Sequence, residues 1–339
     1  MSAALVRAEG LTKTFERAGR HAFGGGRETL KAVDNISIEI GRRETVALVG
    51  ESGCGKSTTG RLLLRLLEPT AGKVFYDNVD LTALSPARMR EMRRHVQMVF
   101  QDPFGSLSPR RTVADIIAEP LDSFGLARSR RERRDRVADL LTQVGLRPAH
   151  MDRYPRQFSG GQRQRIGIAR AIALDPSFIV ADEPVSSLDV SVQAQIVNLL
   201  QDLQEQKGLS YLFVAHDLAI VRHIADRVVV MYLGRIMESG PKAQIYGAPH
   251  HPYTQALLSA APEPDPDRKE TRIILSGDAP SPSQAITGCS FHTRCPIARD
   301  VCRNEHPPLA SLGGGHQAAC HFAKPFPIPA PAAAEPAGA

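Results

Sequence analysis

A chain of 339 residues suggests about two domains at roughly 150 residues each, so more than a single core is expected. Forty-two Lys and Arg against thirty-six Asp and Glu leave a formal charge of +6, and 42% apolar with 23% charged residues excludes wholesale disorder. The longest apolar run, at 228–233, is far short of the roughly 20 residues of a membrane-crossing helix, and MSAALVRAEG lacks the apolar stretch of a secretory signal. The expected setting is a reducing compartment in which structural disulfides are a poor guess.

Residues 36–50 read as an alternating strand (Ile36, Ile38, Ile40), a charged turn and the buried-strand run TVALVG. A glycine-rich loop follows at once. From Thr58 the text TTGRLLLRLL has helical spacing, with Glu68, Pro69 and Gly72 as its stop. Between about 102 and 158 the chain turns Arg-rich, helical and proline-punctuated, which reads as a helical subdomain inserted into a sheet domain. Its RSRRERRDR run at 128–136 is interspersed with Glu132 and Asp135, the pattern of a solvated helix face rather than of a nucleic-acid contact. FIVADEP at 178–184 and SVQAQIVNLLQDLQEQKG at 191–208 form a second strand, loop and helix unit, and YLFVAHD at 211–217 supplies a third buried strand. Apolar strands alternating with helices imply a mostly parallel sheet covered on both faces. The turn-rich text from 248 marks a linker with one short helix, and the Pro/Ala-biased tail at 326–339 is expected to be disordered.

GESGCGKST at 50–58 places Gly50, Gly55, Lys56 and Ser57 in the phosphate-loop pattern between a strand and a helix. Glycines let backbone N–H groups turn toward a polyphosphate, the helix start adds partial positive charge and Lys56 a full one; Ser57 is placed to ligate Mg2+. Ser52, Gly53, Cys54 and Thr58 complete the loop. Cys54 lies near Lys56 and a helix start, conditions that lower a thiol pKa, although a tolerated small side chain is the simpler reading. Asp182, at the end of a buried strand, suits Mg2+, and Glu183 beside it can polarise the attacking water. In FSGGQRQR, Ser159 caps a second anion-binding helix start with Gly160, Gly161 and Gln162, which is expected to serve a partner's nucleotide.

The ordered set GESGCGKST, the glutamine of VFQDP, FSGGQ, IVADEP, SSLD and the histidine of VAHD resembles the ATP-binding subunit of an ABC transporter over about 5–240. The signature opens on Phe158 where the family usually has Leu. The resemblance implies an α/β fold: a P-loop NTPase (RecA-like) core with a mostly parallel sheet, an antiparallel β subdomain, an inserted α-helical subdomain and a small Cys-rich C-terminal domain. It also implies two such domains stacked head to tail around two ATP. Carried over, Phe15 resembles the aromatic that stacks on adenine and Gln101 the glutamine that senses Mg2+, water and the transporter. Ser159, Gly161 and Gln162 resemble the residues that complete the partner's site, Asp189 the aspartate that couples the two sites, and His216 the switch histidine.

Beyond 240, HPYTQALLSAAPEPDP and GCSFHTRCPIARDVC resemble the C-terminal extension of dipeptide and oligopeptide importer ATPases, and the text HAFGGGR fits the F-type subunit. Cys289, Cys295, Cys302 and Cys320, with five, six and seventeen residues between them, suit a soft metal centre. Two-residue spacings, commoner at structural zinc, are absent. The resemblance implies a [4Fe-4S] cluster in some relatives; Zn2+ and free core thiols are the alternatives. His292, His306, His316 and His321 lie close by in sequence, where solvent-facing is their expected role.

The reading is therefore a Mg-ATP-hydrolysing subunit of a peptide importer. Its domains are 1–240 (helical subdomain about 102–158), 241–325 with the Cys cluster, and the tail 326–339. The expected partners are a homologous ATPase subunit in a heterodimer, two transmembrane permease subunits and, indirectly, an extracytoplasmic solute-binding protein, with no nucleic acid; the expected location is the cytoplasmic face of the inner membrane. The competing readings are a nickel, glutathione or other small-solute importer and a soluble regulatory ABC ATPase.

Overall fold

A computed structural model describes residues 4–18, 27–260, 273–275, 277, 280 and 286–325. The glycine-rich text at 21–26, the linker at 261–272 and the tail expected to be disordered at 326–339 lie outside the described residues. In chain order the strands are β1 (Val6–Ala18), β2 (Arg27–Ile40), β3 (Thr45–Val49), β4 (Ala71–Tyr76), β5 (Val79–Asp80), β6 (Val96–Val99), β7 (Phe178–Asp182), β8 (Ser210–Ala215), β9 (Arg227–Tyr232), β10 (Arg235–Pro241), β11 (Ala310–Gly313) and β12 (His316–Ala318). The helices are α1 (Lys56–Leu63), α2 (Pro86–Met92), α3 (Pro103–Ser106), α4 (Val113–Ser123), α5 (Arg130–Gln143), α6 (Gly160–Ile172), α7 (Val190–Lys207), α8 (Leu218–Ile224), α9 (Lys242–Gly247), α10 (Pro252–Ser259) and α11 (Asp300–Asn304).

Two sheets carry the fold. The smaller is antiparallel in the order β2-β1-β4-β5; the larger runs β11-β12-β10-β9-β3-β8-β7-β6, with β6, β7, β8, β3 and β9 all parallel. Side chains alternate across a strand, so each parallel strand serves two cores. Val46, Leu48, Phe178 and Val180 point to the core shared with α1 and the antiparallel sheet. Ala47, Val49, Ile179 and Ala181 point to the core shared with α4 to α8. Both faces are covered, which is why FIVAD and SYLFVA are buried at every position.

Local chemistry sets the helix ends. Asp189 caps α7 by accepting from Val192 N at 3.0 Å, and Gly208 ends it in the left-handed region at φ +67°. The helix expected to run toward Glu68 stops at Leu63 instead. Arg65 takes φ +49° and spends its guanidinium on the carbonyls of Leu81 and Leu84 and on Glu68, so the chain turns before its proline. On α5 the arginine run is absorbed in ion pairs, Arg133 with Asp115 and Asp122 and Arg134 with Asp152, as a solvated face requires.

The C-terminal segment is built onto the large sheet. β12 pairs with β10 through Glu238–Ala318 and Ser239–Gln317, and Cys289, Phe291 and Cys302 join the core of the helical face. The clasp is ionic. Glu238, fully buried, accepts from the backbone N–H of His250 (2.7 Å) and His251 (3.0 Å) and bonds His316 Nε2 at 2.7 Å, while the His250 ring meets His316 edge-on at 4.8 Å. His316 is thus buried, not solvent-facing, because this carboxylate recruits it. Burial works against the Glu238 charge, yet these hydrogen bonds hold its pKa below the ordinary value. Burial pushes His251 down to about 4 despite the facing Glu238 charge.

Both shifts have the same sign for stability. A histidine lowered to about 4 contributes stability that is complete above its unfolded value and lost on acidification, by at most roughly 3 kcal/mol for such a shift. The lowered Glu238 adds a further loss below about pH 4, the ordinary glutamate range. Hydrogen exchange of the Gln317–Ala319 amides should therefore accelerate steadily from about pH 6.5 to pH 4 after correction for intrinsic rates. Glu238→Gln should flatten the lower end of that profile and cost about 3–5 kcal/mol at neutral pH. A pH-independent profile in the wild-type chain contradicts the clasp.

Candidate ATP site

Four parallel strands end at one edge and each delivers a site group. β3 runs into the loop 50–55, β6 leads to Gln101, β7 ends in Asp182 and Glu183, and β8 is followed by His216. Open α/β sheets bind ligands at this carboxyl edge.

The loop depends on its glycines. Gly50, Gly53 and Gly55 have φ of +151°, +78° and +103°, and a Cβ on Gly55 would lie 2.2 Å from the carbonyl oxygen of Ala32. Lys56 opens α1, is buried, and donates from Nζ to the carbonyls of Gly50 (2.8 Å) and Glu51 (3.0 Å), which folds its ammonium back over the loop. Ser57 donates from Oγ to Asp182 Oδ1 at 2.7 Å, so the two residues expected at Mg2+ meet. Burial pushes the Asp182 carboxyl up against the pull of that bond, the state of a carboxylate that gains from a divalent cation. Thr58 continues α1, and Ser52 and Gly53 form the exposed crown of the loop.

Glu183 is the strained member. Its φ is +44° while its backbone N–H donates to Val214 O at 3.0 Å, so β8 holds the turn in a conformation costing about 1–3 kcal/mol. The turn aims the carboxylate at the same edge. Gln101 Nε2 donates to Glu183 Oε2 at 2.8 Å, and His216 Nδ1 stands 3.7 Å from the same oxygen. Gln101, Glu183 and His216 come from three strands and form one cluster.

Other expected residues stand apart. Phe15 is exposed on β1 with Lys13 over its ring. Ser159, Gly160, Gly161 and Gln162 open α6, where Ser159 and Gln162 satisfy each other in a reciprocal capping box. That helix packs on α3, α4, α5, α7 and β6, whereas α1 packs on β7, β8 and the antiparallel sheet. Asp189 lies exposed at the start of α7; the Ser191 hydroxyl and nearby backbone N–H groups hold its carboxyl below the usual range. Cys54 departs from the low-pKa conditions noted for it. It is buried, and desolvation raises the thiol more than the Lys56 charge lowers it.

The four C-terminal cysteines do meet. Cys289, Cys295, Cys302 and Cys320 line one pocket with Phe291 and His251. Burial, with neighbouring thiols adding to it, raises Cys289, Cys320 and Cys295, the last to about 11. Among the described residues the only His, Cys, Asp or Glu trio whose ligand atoms all lie within 4.8 Å is Glu238, His250 and His316. That trio is already joined by hydrogen bonds. Sequence reasoning missed two residues bound to the loop, Tyr253 and Arg294, which act across separations of 202 and 243 positions. HPY marked Tyr253 as a family feature without a role, and nothing near Arg294 in the chain points to Glu51.

The family model described as "ABC transporter" matches residues 33–186, and "Oligopeptide/dipeptide transporter, C-terminal region" matches 237–302. The oligopeptide transport ATP-binding protein AppF of Bacillus subtilis is 51% identical over 296 residues, 86% of this chain and 90% of that protein. The chain belongs to the ATP-binding subunits of ABC transporters. A putative peptide import ATP-binding protein of Brucella ovis is 56% identical over 292 residues, 86% of this chain and 92% of that protein. Among solved structures, the ATP-binding cassette MJ0796, dimeric in a post-hydrolysis state with ADP and Pi, matches with a TM-score of 0.62 at 30% identity, covering 70% of this chain and 98% of that one. This ABC ATPase accordingly has the cassette fold and ATP as its ligand. Membership implies paired cassettes and membrane permease partners, and no helix among the described residues is long and apolar enough to cross a membrane.

Gly55→Ala tests the loop geometry. It places a Cβ against the Ala32 carbonyl at φ +103°. Titration with Mg-ATP should show at least a tenfold weaker affinity, about 1.4 kcal/mol or more. Wild-type affinity would show that the loop relaxes freely.

Proposed function

We propose that this ABC ATPase energises a peptide importer, hydrolysing Mg-ATP between its own phosphate loop and the signature helix of a homologous partner. One observation carries the reading. Lys56, Ser57, Asp182, Glu183, Gln101 and His216 converge at one sheet edge in a chain whose 237–302 region matches the oligopeptide/dipeptide transporter model. Lys56 and the loop N–H groups would hold the phosphates, and Ser57 and Asp182 the Mg2+. Glu183 would orient and deprotonate the attacking water, with Gln101 and His216 positioning that carboxylate and the terminal phosphate. Ser159, Gly160, Gly161 and Gln162 would complete the partner's site, since they share no hydrogen bond with this chain's own loop among the described residues. Phe15 would face adenine and Asp189 would couple the two sites.

The assembly would be a heterodimer at the cytoplasmic face of the inner membrane, organised as a cassette over 1–240 and a peptide-importer region over 241–325. Phe104, 63% exposed and stacked on Arg163 at 3.9 Å, offers apolar surface near Gln101 for a permease. The four thiols fit a soft metal group: they line one pocket, and burial raises Cys289, Cys295 and Cys320, so a cation would have to displace their protons. Of the soft metal groups, the [4Fe-4S] cluster implied by the family resemblance is the one proposed, with Zn2+ the alternative. Bound there, it would tie residues 289–320 into one unit.

In the complex assembled with its permeases, Glu183→Gln should keep ATP affinity, accumulate the closed dimer, and lose about 10²- to 10⁴-fold in turnover and ATP-driven uptake of labelled dipeptides. Normal turnover would remove Glu183 from its role, and ATP-driven transport of another solute class without peptides would remove the cargo assignment. Anaerobic purification should give brown protein with about four irons per chain. Colourless protein holding zinc or no metal rejects the cluster.

A further inference from the structure

Glu51 is the most heavily engaged residue of the phosphate loop. Its backbone N–H donates to the Tyr253 hydroxyl at 2.9 Å, its carbonyl accepts from Lys56 Nζ at 3.0 Å, and both carboxylate oxygens accept from Arg294 Nη1 at 2.9 Å. Two of these three engagements come from beyond residue 250. Tyr253 is fully buried in a knot of rings, 4.8 Å from Tyr232 and 5.3 Å from Phe291, so its hydroxyl has little freedom. The Arg294 side chain is 11% exposed and precedes Cys295 directly.

The pairing answers an electrostatic difficulty. A loop that must take up a polyphosphate carries a carboxylate one residue past its first glycine, and an unpaired negative charge there opposes the ligand. Arg294 cancels that charge and pins the side chain on the flank facing the C-terminal segment. Tyr253 meanwhile takes up the Glu51 N–H, and the Glu51 carbonyl so oriented receives the Lys56 ammonium.

We propose that Arg294 and Tyr253 are positioning residues for nucleotide binding: acting through Glu51, they neutralise and orient the phosphate loop, so that the C-terminal segment sets the affinity of the ATP site. The inference rests on the assignment of Lys56 to the phosphates. Any change that shifts residues 289–295 would then alter ATP affinity, and by reciprocity bound ATP would alter the order of that segment.

The test uses the full-length chain, with Mg-ATP affinity read by calorimetry and KM and kcat read in the assembled complex. Arg294→Gln should weaken binding about five- to tenfold and raise KM by the same factor, with kcat within about twofold. Arg294→Lys should recover most of the loss. Adding Glu51→Gln to Arg294→Gln should restore affinity, because the uncompensated charge is gone; a purely structural arginine would give further loss. Wild-type affinity in Arg294→Gln, or a loss that Glu51→Gln does not relieve, overturns the proposal. Should Arg294→Gln not fold, Tyr253→Phe carries the test: about threefold weaker binding with an unchanged melting temperature supports it, and unchanged binding overturns it. Lys56→Ala separates the two readings. Normal ATP affinity there removes the site assignment, whereas loss there with none in Arg294→Gln removes this inference alone.

Discussion

Hydrogen bonding along five parallel strands is the constraint from which the rest follows. With β6, β7, β8 and β3 in register, their carboxyl ends fall along one edge, and residues as distant in sequence as Gln101 and His216 gather on Glu183 without any loop having to reach. The alternation of side chains then separates two cores, one holding the antiparallel sheet and one holding the helices.

Charge is managed differently at each level of the molecule. On α5 arginines and carboxylates lie in water and contribute little individually. In the loop, Lys56 is buried and the Glu51–Arg294 pair partly so, where each interaction is stronger and each missing partner costlier than in water. Beneath β10, Glu238 is wholly enclosed, and three donors make its charge tolerable. The same logic strains Glu183: a residue in an unfavourable backbone state is retained because that state aims its carboxylate.

Much of this was legible in the sequence because the informative features are local. A glycine-lysine-serine loop between a strand and a helix, a buried strand ending in two carboxylates, and a capped SGGQ start each state their chemistry within a dozen residues. The four cysteines were legible as a group, since clustering survives folding. What could not be read is what depends on distant pairing. That Glu51 meets Tyr253 and Arg294 depends on contacts across more than 200 positions, and that His316 is buried on Glu238 follows from β12 docking on β10, where neither strand advertises its partner. The early end of α1 was hidden for a related reason, because Arg65 finds its acceptors on the turn after β5. The charge near Cys54 was legible, but its burial, which raises the thiol, is a tertiary quantity.

The docking of β12 on β10 also bears on how a minimal version of this cassette could be made. Cutting the chain near residue 245 would strip the last two strands from the large sheet and leave the amides and carbonyls of β10 facing water along a ready-made pairing edge. Such a fragment would recruit strands from its own copies and precipitate, while Glu238 lost the imidazole that hydrogen-bonds it. Trimming for crystallography or display is better confined to the stretch after 325, which leaves that edge sheltered.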